Sequence, residues 1–397
     1  MGSSSLDMQR QPSQALADAW RAVWITRALV WIAGLLAIAL FGVRDGNATA
    51  FDPEGLTRPF GSLGDALVAP AARWDSRWFL DIAASGYDEQ RAAFFPLYPL
   101  LVKAAGAVVG SPVVGGLAIS LGCLLAALTV LHRLVALDHD RETAALTVAL
   151  VAAFPGSLWL SAVYSEALFL LLSVGAVYAA RTGRWLPAAL AGMLAASTRS
   201  IGVLLLVPLA VIWWQAGRPV AALPVLGVPL GLAAFCLVLG ASGLDALGPF
   251  RAQEAWDRSF AGPFGAIPEA VGAGADGVHA LVTGEPRPTD PFDPAALDTA
   301  LLGVLAMTLV ALVGAIRRLP AAYWLYALAA LALPLSWPVD GQPLMSLPRF
   351  VAVLWPLHLW LALALVERRT ARRTVLASFA VGLAAVSALV STWNWVA

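Results

Sequence analysis

The residues best suited to chemistry lie between Arg73 and Pro99. They run Arg73-Trp74-Asp75-Ser76-Arg77-Trp78-Phe79, then Asp81-Ile82, Gly86-Tyr87 and Phe94-Phe95-Pro96-Leu97-Tyr98-Pro99. This polar, aromatic and charged stretch sits between apolar runs long enough to cross a bilayer. A carboxylate among tryptophans at a membrane surface suits chemistry on a sugar carried by a lipid. Asp75 has two readings. As a helix N-cap it would accept hydrogen bonds from the N–H groups that follow it. As a general base it would gain from an apolar wall, which makes a carboxylate a better proton acceptor. The two roles are compatible.

Other charges stand where charges are expensive, since one in mid-bilayer costs about 2.5–3.5 kcal/mol even on a lenient scale. Glu166 opens an apolar run in Tyr164-Ser165-Glu166-Ala167. The positive end of a helix dipole accounts for an acid there, and Tyr164 and Ser165 beside it form a polar cluster suited to sugar hydroxyls. Arg199, in Ser197-Thr198-Arg199-Ser200, needs an anion if it is buried among helices. A lipid-linked phosphate and the carboxylate of Glu166 are equal candidates. Arg349 follows Pro348 at the start of a late apolar run, where it could meet a phosphate or snorkel to the interface. The four histidines, His132, His139, His279 and His358, form no ligand set, and no HExxH, P-loop or GxSxG motif is present. No cofactor is therefore expected, although Asp75, Asp81 and Glu166 could in principle converge on a divalent metal.

The elements that must position these residues are membrane helices. The chain is 397 residues long, 60% hydrophobic and 13% charged, with a mean hydropathy of +0.77. Soluble domains are about 45–50% apolar and about 25% charged, so this is an integral membrane protein. Its net charge of zero offers no field to attract nucleic acid, and that class is dropped. Cys123 and Cys236 both lie inside apolar runs and read as packing residues.

Apolar runs recur at about 23–43, 112–136, 142–162, 165–180, 186–198, 200–216, 219–240, 297–316, 320–335, 350–366 and 374–395, which gives about eleven spans in an all-α polytopic fold. The stretch 186–216 is long for one span and short for two. Short arginine-rich loops should face the cytoplasm. Arg181/Arg184, Arg218, Arg317/Arg318 and Arg368 to Arg373 share a side only if 186–216 is a hairpin broken at Ser197–Ser200. The first run reads as a retained anchor rather than a signal peptide, with residues 1–20 a cytosolic tail disordered near its start. Segments 44–111 and 241–296 then face outward within one membrane domain. In the first, Asp75–Ala84 should form a helix lying in the interface. Trp74, Trp78 and Ile82 would meet lipid headgroups, Arg77 and Asp81 would pair at i,i+4, and Gly86 would end the helix. A second helix, about Leu97–Val109, follows the Pro96/Pro99 punctuation. The second segment, rich in proline and glycine, should be irregular, with one helix near Phe250–Phe260.

Three blocks in this order resemble the PIG-V (GPI mannosyltransferase II) family and its bacterial relatives. They are Trp74-Asp75 through Pro99; Ala162-Val163-Tyr164-Ser165-Glu166-Ala167-Leu168-Phe169; and Thr198-Arg199-Ser200 with Gly202. Gln253, Trp256 and Ser346 with Arg349-Phe350 fit the pattern more loosely. The resemblance implies a GT-C-like integral membrane glycosyltransferase in a bacterial plasma membrane, with its N-terminus cytoplasmic and its site on the outer face. Such an enzyme takes a sugar, usually mannose, from a polyprenyl-phosphate donor and inverts the anomeric centre without an obligatory metal. Carried over, Asp75 is the catalytic base. Arg199 and Arg349, then Arg73 and Arg77, are the candidates for the donor phosphate. Trp74, Trp78, Tyr164, Glu166, Gln253 and Trp256 are those for sugar or acceptor. The acceptor, whether glycan, lipid or protein, is not inherited with the family. A lipid-linked-sugar flippase, which would leave the sugar-phosphate bond intact, and a non-catalytic cell-envelope subunit are the competing classes.

Overall fold

The computed structural model describes residues 4–254, 257–283 and 295–396, with side chains from residue 13 onward except at 281, 295 and 296. It is an all-α polytopic membrane protein, and among the described residues the only β pairings are two isolated bridges. Five helices are long and apolar enough to cross a bilayer: Ser13–Phe41, Pro112–Val135, Val220–Ala241, Leu297–Arg318 and Arg369–Ser391. Two sharply bent pairs raise the number to seven: Arg141–Ala153 with Pro155–Ser161, at 83°, and Leu347–Val353 with Trp355–Leu365, at 72°. Each apolar run of the sequence coincides with a helix, but several are short, such as Trp185–Ala196, Ser200–Gln215 and Ala321–Ser336. Length and composition therefore support five to seven crossings among the described residues.

Small residues set the closest approaches. A side chain at Gly116 would strike Val163, and one at Gly115 would meet the backbone of Gly106. Pro112–Val135 can therefore lie tight against both Leu97–Val109 and the segment before Glu166, the mode of packing expected where helices gain nothing from leaving lipid. The first long helix packs along the last, Arg369–Ser391. That brings Trp393 and Trp395 to the start of segment 44–111. The first helix begins at Ser4, so the disordered start expected of the tail is helical from that residue.

The first of these bends has a local cause and a consequence. Phe154 precedes Pro155, which disfavours helical backbone before it, and the bend frees carbonyls that must be satisfied inside the membrane. Arg27 of the first helix does this. Its Nη1 donates to Ser157 O at 2.6 Å and Ser161 Oγ at 2.8 Å, and its Nη2 to Ala152 O at 2.8 Å and Ser157 Oγ at 2.9 Å. The guanidinium thus pins the turn that delivers Trp159, Tyr164 and Glu166. Arg27→Met should lower stability by about 1–3 kcal/mol, the cost of buried acceptors left unmade. The readout is thermal unfolding of the detergent-solubilised protein, and an unchanged midpoint would remove Arg27 from this role.

Helix ends in the first segment fall where the sequence places them. Ser76–Ser85 stops at Gly86, whose φ of 82° suits glycine, and Leu97–Val109 starts after Pro96. Its burial differs from expectation. Trp74, Phe79, Leu80, Asp81 and Ile82 are all buried, so the helix is covered by protein rather than laid in headgroups. Trp74 meets Phe51, Trp393 and Trp395 edge-on, at centroid distances of 4.6, 5.3 and 4.9 Å. The expected Arg77–Asp81 pair is also replaced. Asp81 pairs with Arg91 at 2.8 Å, and Arg77 donates to Phe51 O at 3.0 Å. Among the described residues of the second segment, Gly248–Arg251 is the α-helix near Phe250, and the long helix is Ala266–Thr283. Trp256 and residues 284–294 lie outside the described residues.

Candidate active site

Four charges named from the sequence come together. Arg349 Nη1 binds Asp75 Oδ2 at 2.5 Å, while its Nε and Nη2 both donate to Glu166 Oε1, at 3.0 and 2.9 Å. Arg199 Nη1 reaches the same Glu166 oxygen at 2.6 Å and Ser165 Oγ at 3.3 Å. The result is a continuous chain, Asp75–Arg349–Glu166–Arg199. Glu166 is fully buried and its Oε2 has no hydrogen-bond partner. A carboxylate there is tolerable only because two guanidinium groups converge on its other oxygen. The helix dipole alone does not explain it.

Asp75 occupies the N-cap position of Ser76–Ser85, yet its side chain makes no capping bond. The carboxylate turns instead to Arg349, and about a fifth of it remains exposed. Tyr164 fixes the backbone here, its hydroxyl donating to Arg73 O at 3.1 Å and accepting from the Asp75 N–H at 3.0 Å. The Arg349 guanidinium lies over the Tyr164 ring, 4.8 Å from its centroid, a cation–π contact that orients the fork. Left-handed backbone occurs on both sides of the ion chain, at Trp74 with φ 53° and at Ser346 with φ 68°. Each costs on the order of 1–3 kcal/mol in a non-glycine residue and persists only where packing over-determines it.

A narrow cleft opens on Asp75 between Trp74, Trp159, Tyr164, Arg349 and Trp395, with a volume of about 10 Å³, room for roughly one water. Ligand sites usually hold about 300–1,000 Å³, so a glycolipid requires it to widen, most simply at the wall formed by Trp395 and Val396. A larger groove, about 570 Å³, runs past Arg58, Phe60, Leu80, Ala84 and Val113. It shares no lining residue with the cleft. The helices flanking Gly86 therefore do not floor the space beside Asp75.

The remaining candidates divide. Arg73 turns away: it donates to Ala72 O at 2.8 Å and packs on Trp393, 5.2 Å from the ring centroid. Burial, with Arg58 nearby, lowers its pKa to about 10. Arg77 stacks on its neighbour Trp78 at 4.9 Å, and Trp78 stacks on Phe94 at 5.8 Å. Neither arginine joins the ion chain. Gln253 ends a short turn after Gly248–Arg251, its carbonyl accepting from the Arg258 N–H at 3.2 Å. Asp81 is held by Arg91, so Asp75, Asp81 and Glu166 do not converge. Among the described residues no group of three or more His, Cys, Asp or Glu gathers to hold a metal. The sequence reading missed Trp159 and Trp395. Both reach the cleft only through tertiary contact.

Comparison with known proteins shows which sequences this chain resembles. The family model described as Mannosyltransferase (PIG-V) matches residues 22–215, which contain Asp75, Tyr164, Glu166 and Arg199. Curated relatives named GPI alpha-1,6-mannosyltransferase 2 are similar over about 188 residues. The protein from Rattus norvegicus is 36% identical, that from Mus musculus 35% and that from Homo sapiens 34%. Each match covers 43% of this chain and 38% of the relative, so the chain spans well under half the length of these relatives. Over residues 22–215, with the acid, the tyrosine and one of the two network arginines inside the match, the chain is similar to the PIG-V mannosyltransferase family.

Proposed function

We propose that this protein is a membrane mannosyltransferase that moves a mannosyl group from a polyprenyl-phosphate donor to a hydroxyl acceptor, inverting the anomeric centre. The family match, whose curated relatives are named as mannosyltransferases, supports the reaction class. The observation that carries the site assignment is the carboxylate of Asp75. It stands at a helix start without capping it, and it faces an aromatic cleft with one oxygen on Arg349 and the other without a hydrogen-bond partner among the described residues.

In the step itself, the free Oδ1 takes the proton of the acceptor hydroxyl as that oxygen attacks C1 of the sugar. The C1–O bond to phosphate breaks, and its electron pair leaves with the polyprenyl phosphate. Arg349 holds the other oxygen of the base, and Glu166 with Arg199 holds Arg349. Tyr164 fixes the backbone of the base, and the tryptophans of the cleft offer faces for the sugar. General-base assistance of this kind contributes about 10²–10⁴-fold. No metal is needed for these roles.

The site is proposed to lie on the outer face of a bacterial plasma membrane, with the N-terminus cytoplasmic and segments 44–111 and 241–296 outside. In support, Glu166 and Arg181 stand at opposite ends of one 16-residue helix, about 24 Å long. The Arg181 end carries the Arg181–Asp138 pair at 2.7 Å and lies next to Arg184. Basic connections are retained on the cytoplasmic side, which leaves the acid on the other. The deciding experiment incubates purified protein with polyprenyl-phosphate mannose and a candidate acceptor extract. Release of free polyprenyl phosphate with mannose gained by an acceptor is expected. A donor left intact under all acceptors would overturn the proposal.

A further inference from the structure

The groove in segment 44–111 stands apart from the cleft at Asp75, and its lining combines an apolar wall with both signs of charge. One side is the loop from Glu54 to Phe60. A second is the helix Ser76–Ser85, through Leu80 and Ala84, and the third is the start of the span Pro112–Val135. Its volume of about 570 Å³ lies within the range of about 300–1,000 Å³ usual for ligand pockets.

Pro112 and Val113 open a helix long and apolar enough to cross a bilayer, so the groove they line lies level with lipid headgroups. After Phe60 the chain forms the helix Gly61–Val68, which buries no residue. Its Leu63 and Leu67 are 76% and 50% exposed, and Leu67 O accepts from Trp31 Nε1 of the first span at 3.0 Å. An apolar helix tied beside a span and left uncovered by protein suits the membrane interface.

The charges in the groove are not spent on each other. Arg58 is anchored by Nη2, which donates to Asp52 O at 3.2 Å. Its Nε is buried without a hydrogen-bond partner, 3.9 Å from Asp52 Oδ2, and Nη1 donates to no group among the described residues. The Asp52 carboxylate is occupied elsewhere. Its Oδ1 accepts from the Leu56 N–H at 2.8 Å, and its Oδ2 from the Thr57 N–H and hydroxyl at 2.9 and 2.6 Å. Glu54 is exposed and forms no ion pair among the described residues. A guanidinium with a free edge draws a phosphate, and a free carboxylate four positions before it draws an ammonium.

We propose that this groove binds a phospholipid with a primary-amine headgroup, its phosphate on Arg58, its ammonium on Glu54 and its chains along Phe60, Leu80 and Val113. An anionic lipid would leave Glu54 without a cation, and a trimethylammonium headgroup would offer it no N–H. The helix that begins at Asp75 thus carries a lipid site along one side, separate from the cleft.

The test titrates delipidated protein in detergent with dioctanoyl phosphatidylethanolamine, phosphatidylcholine and phosphatidylglycerol, read by native mass spectrometry. Wild type should prefer the ethanolamine lipid by about tenfold, the share of one charge-assisted hydrogen bond. Glu54→Ala should erase that preference by weakening the ethanolamine lipid alone. Arg58→Gln should weaken all three lipids by about tenfold. Ala84→Trp, at an exposed position on the groove wall, should exclude them all. Inorganic phosphate should not displace the lipid, since it has neither ammonium nor chain. Equal binding of the three lipids by wild type, or wild-type binding by Ala84→Trp, overturns the proposal. Displacement by inorganic phosphate also overturns it, by showing a plain anion site. Should Arg58→Gln fail to fold, Glu54→Ala and Ala84→Trp, both at exposed positions, decide the outcome by the same criteria.

Discussion

Asp75→Asn is expected to abolish mannosyl transfer, by at least the 10²–10⁴-fold of a lost general base, while the protein stays folded and membrane-inserted. Geometry separates the two effects. Asn has nearly the shape of Asp and suits an N-cap equally well. The native carboxylate makes no capping bond, so the helix Ser76–Ser85 loses nothing. The backbone N–H of residue 75 still reaches the Tyr164 hydroxyl. Arg349 loses one anion but keeps both bonds to Glu166. What disappears is the capacity to accept a proton at Oδ1. The measurement pairs release of free polyprenyl phosphate with a thermal midpoint on the same preparation. A variant that transfers sugar at the wild-type rate would show that some other group takes the proton.

The sequence carried the site's components further than their arrangement. Asp75, Glu166, Arg199 and Arg349 each stand out because a charge beside an apolar run is costly, and cost is a local property. Pairing is not. Asp75 and Arg349 are 274 positions apart, and no periodicity reports which of several arginines meets which acid. Helix ends at Gly86 and Pro96 and the break after Ala196 are legible because glycine, proline and a polar run act on their own backbone.

The burial of Ser76–Ser85 is illegible for the opposite reason. Its aromatic face suits headgroups and protein equally, and the choice is made by Trp393 and Trp395, just past the end of the last helix and more than 300 residues later. Arg73 and Arg77 turn away from the ion chain on the same ground. They flank the acid in sequence, but successive positions around a helix start point in different directions, one to Trp393 and the other to Phe51.

Removal of Arg349 should be the most damaging single change to the fold of the site. Three of its nitrogens are committed, one to Asp75 and two to Glu166. In Arg349→Met the fully buried Glu166 retains only Arg199, and an uncompensated buried charge of this kind costs about 3–5 kcal/mol. Both stability and transfer should therefore fall, with unfolding midpoint and donor turnover as the readouts. Arg349→Lys should do little better for activity, because a single ammonium cannot span both carboxylates as the planar fork does. The sign of a second substitution separates charge from packing. If the damage is the stranded carboxylate, adding Glu166→Gln to Arg349→Met should raise the midpoint, since it removes the anion that lost its partner. If the damage were lost contact around the side chain, the double variant would unfold at the same temperature as Arg349→Met or lower. A midpoint that does not rise would mean that the four charges share a cavity without depending on one another, and the positioning role given to Glu166 and Arg199 would go with it.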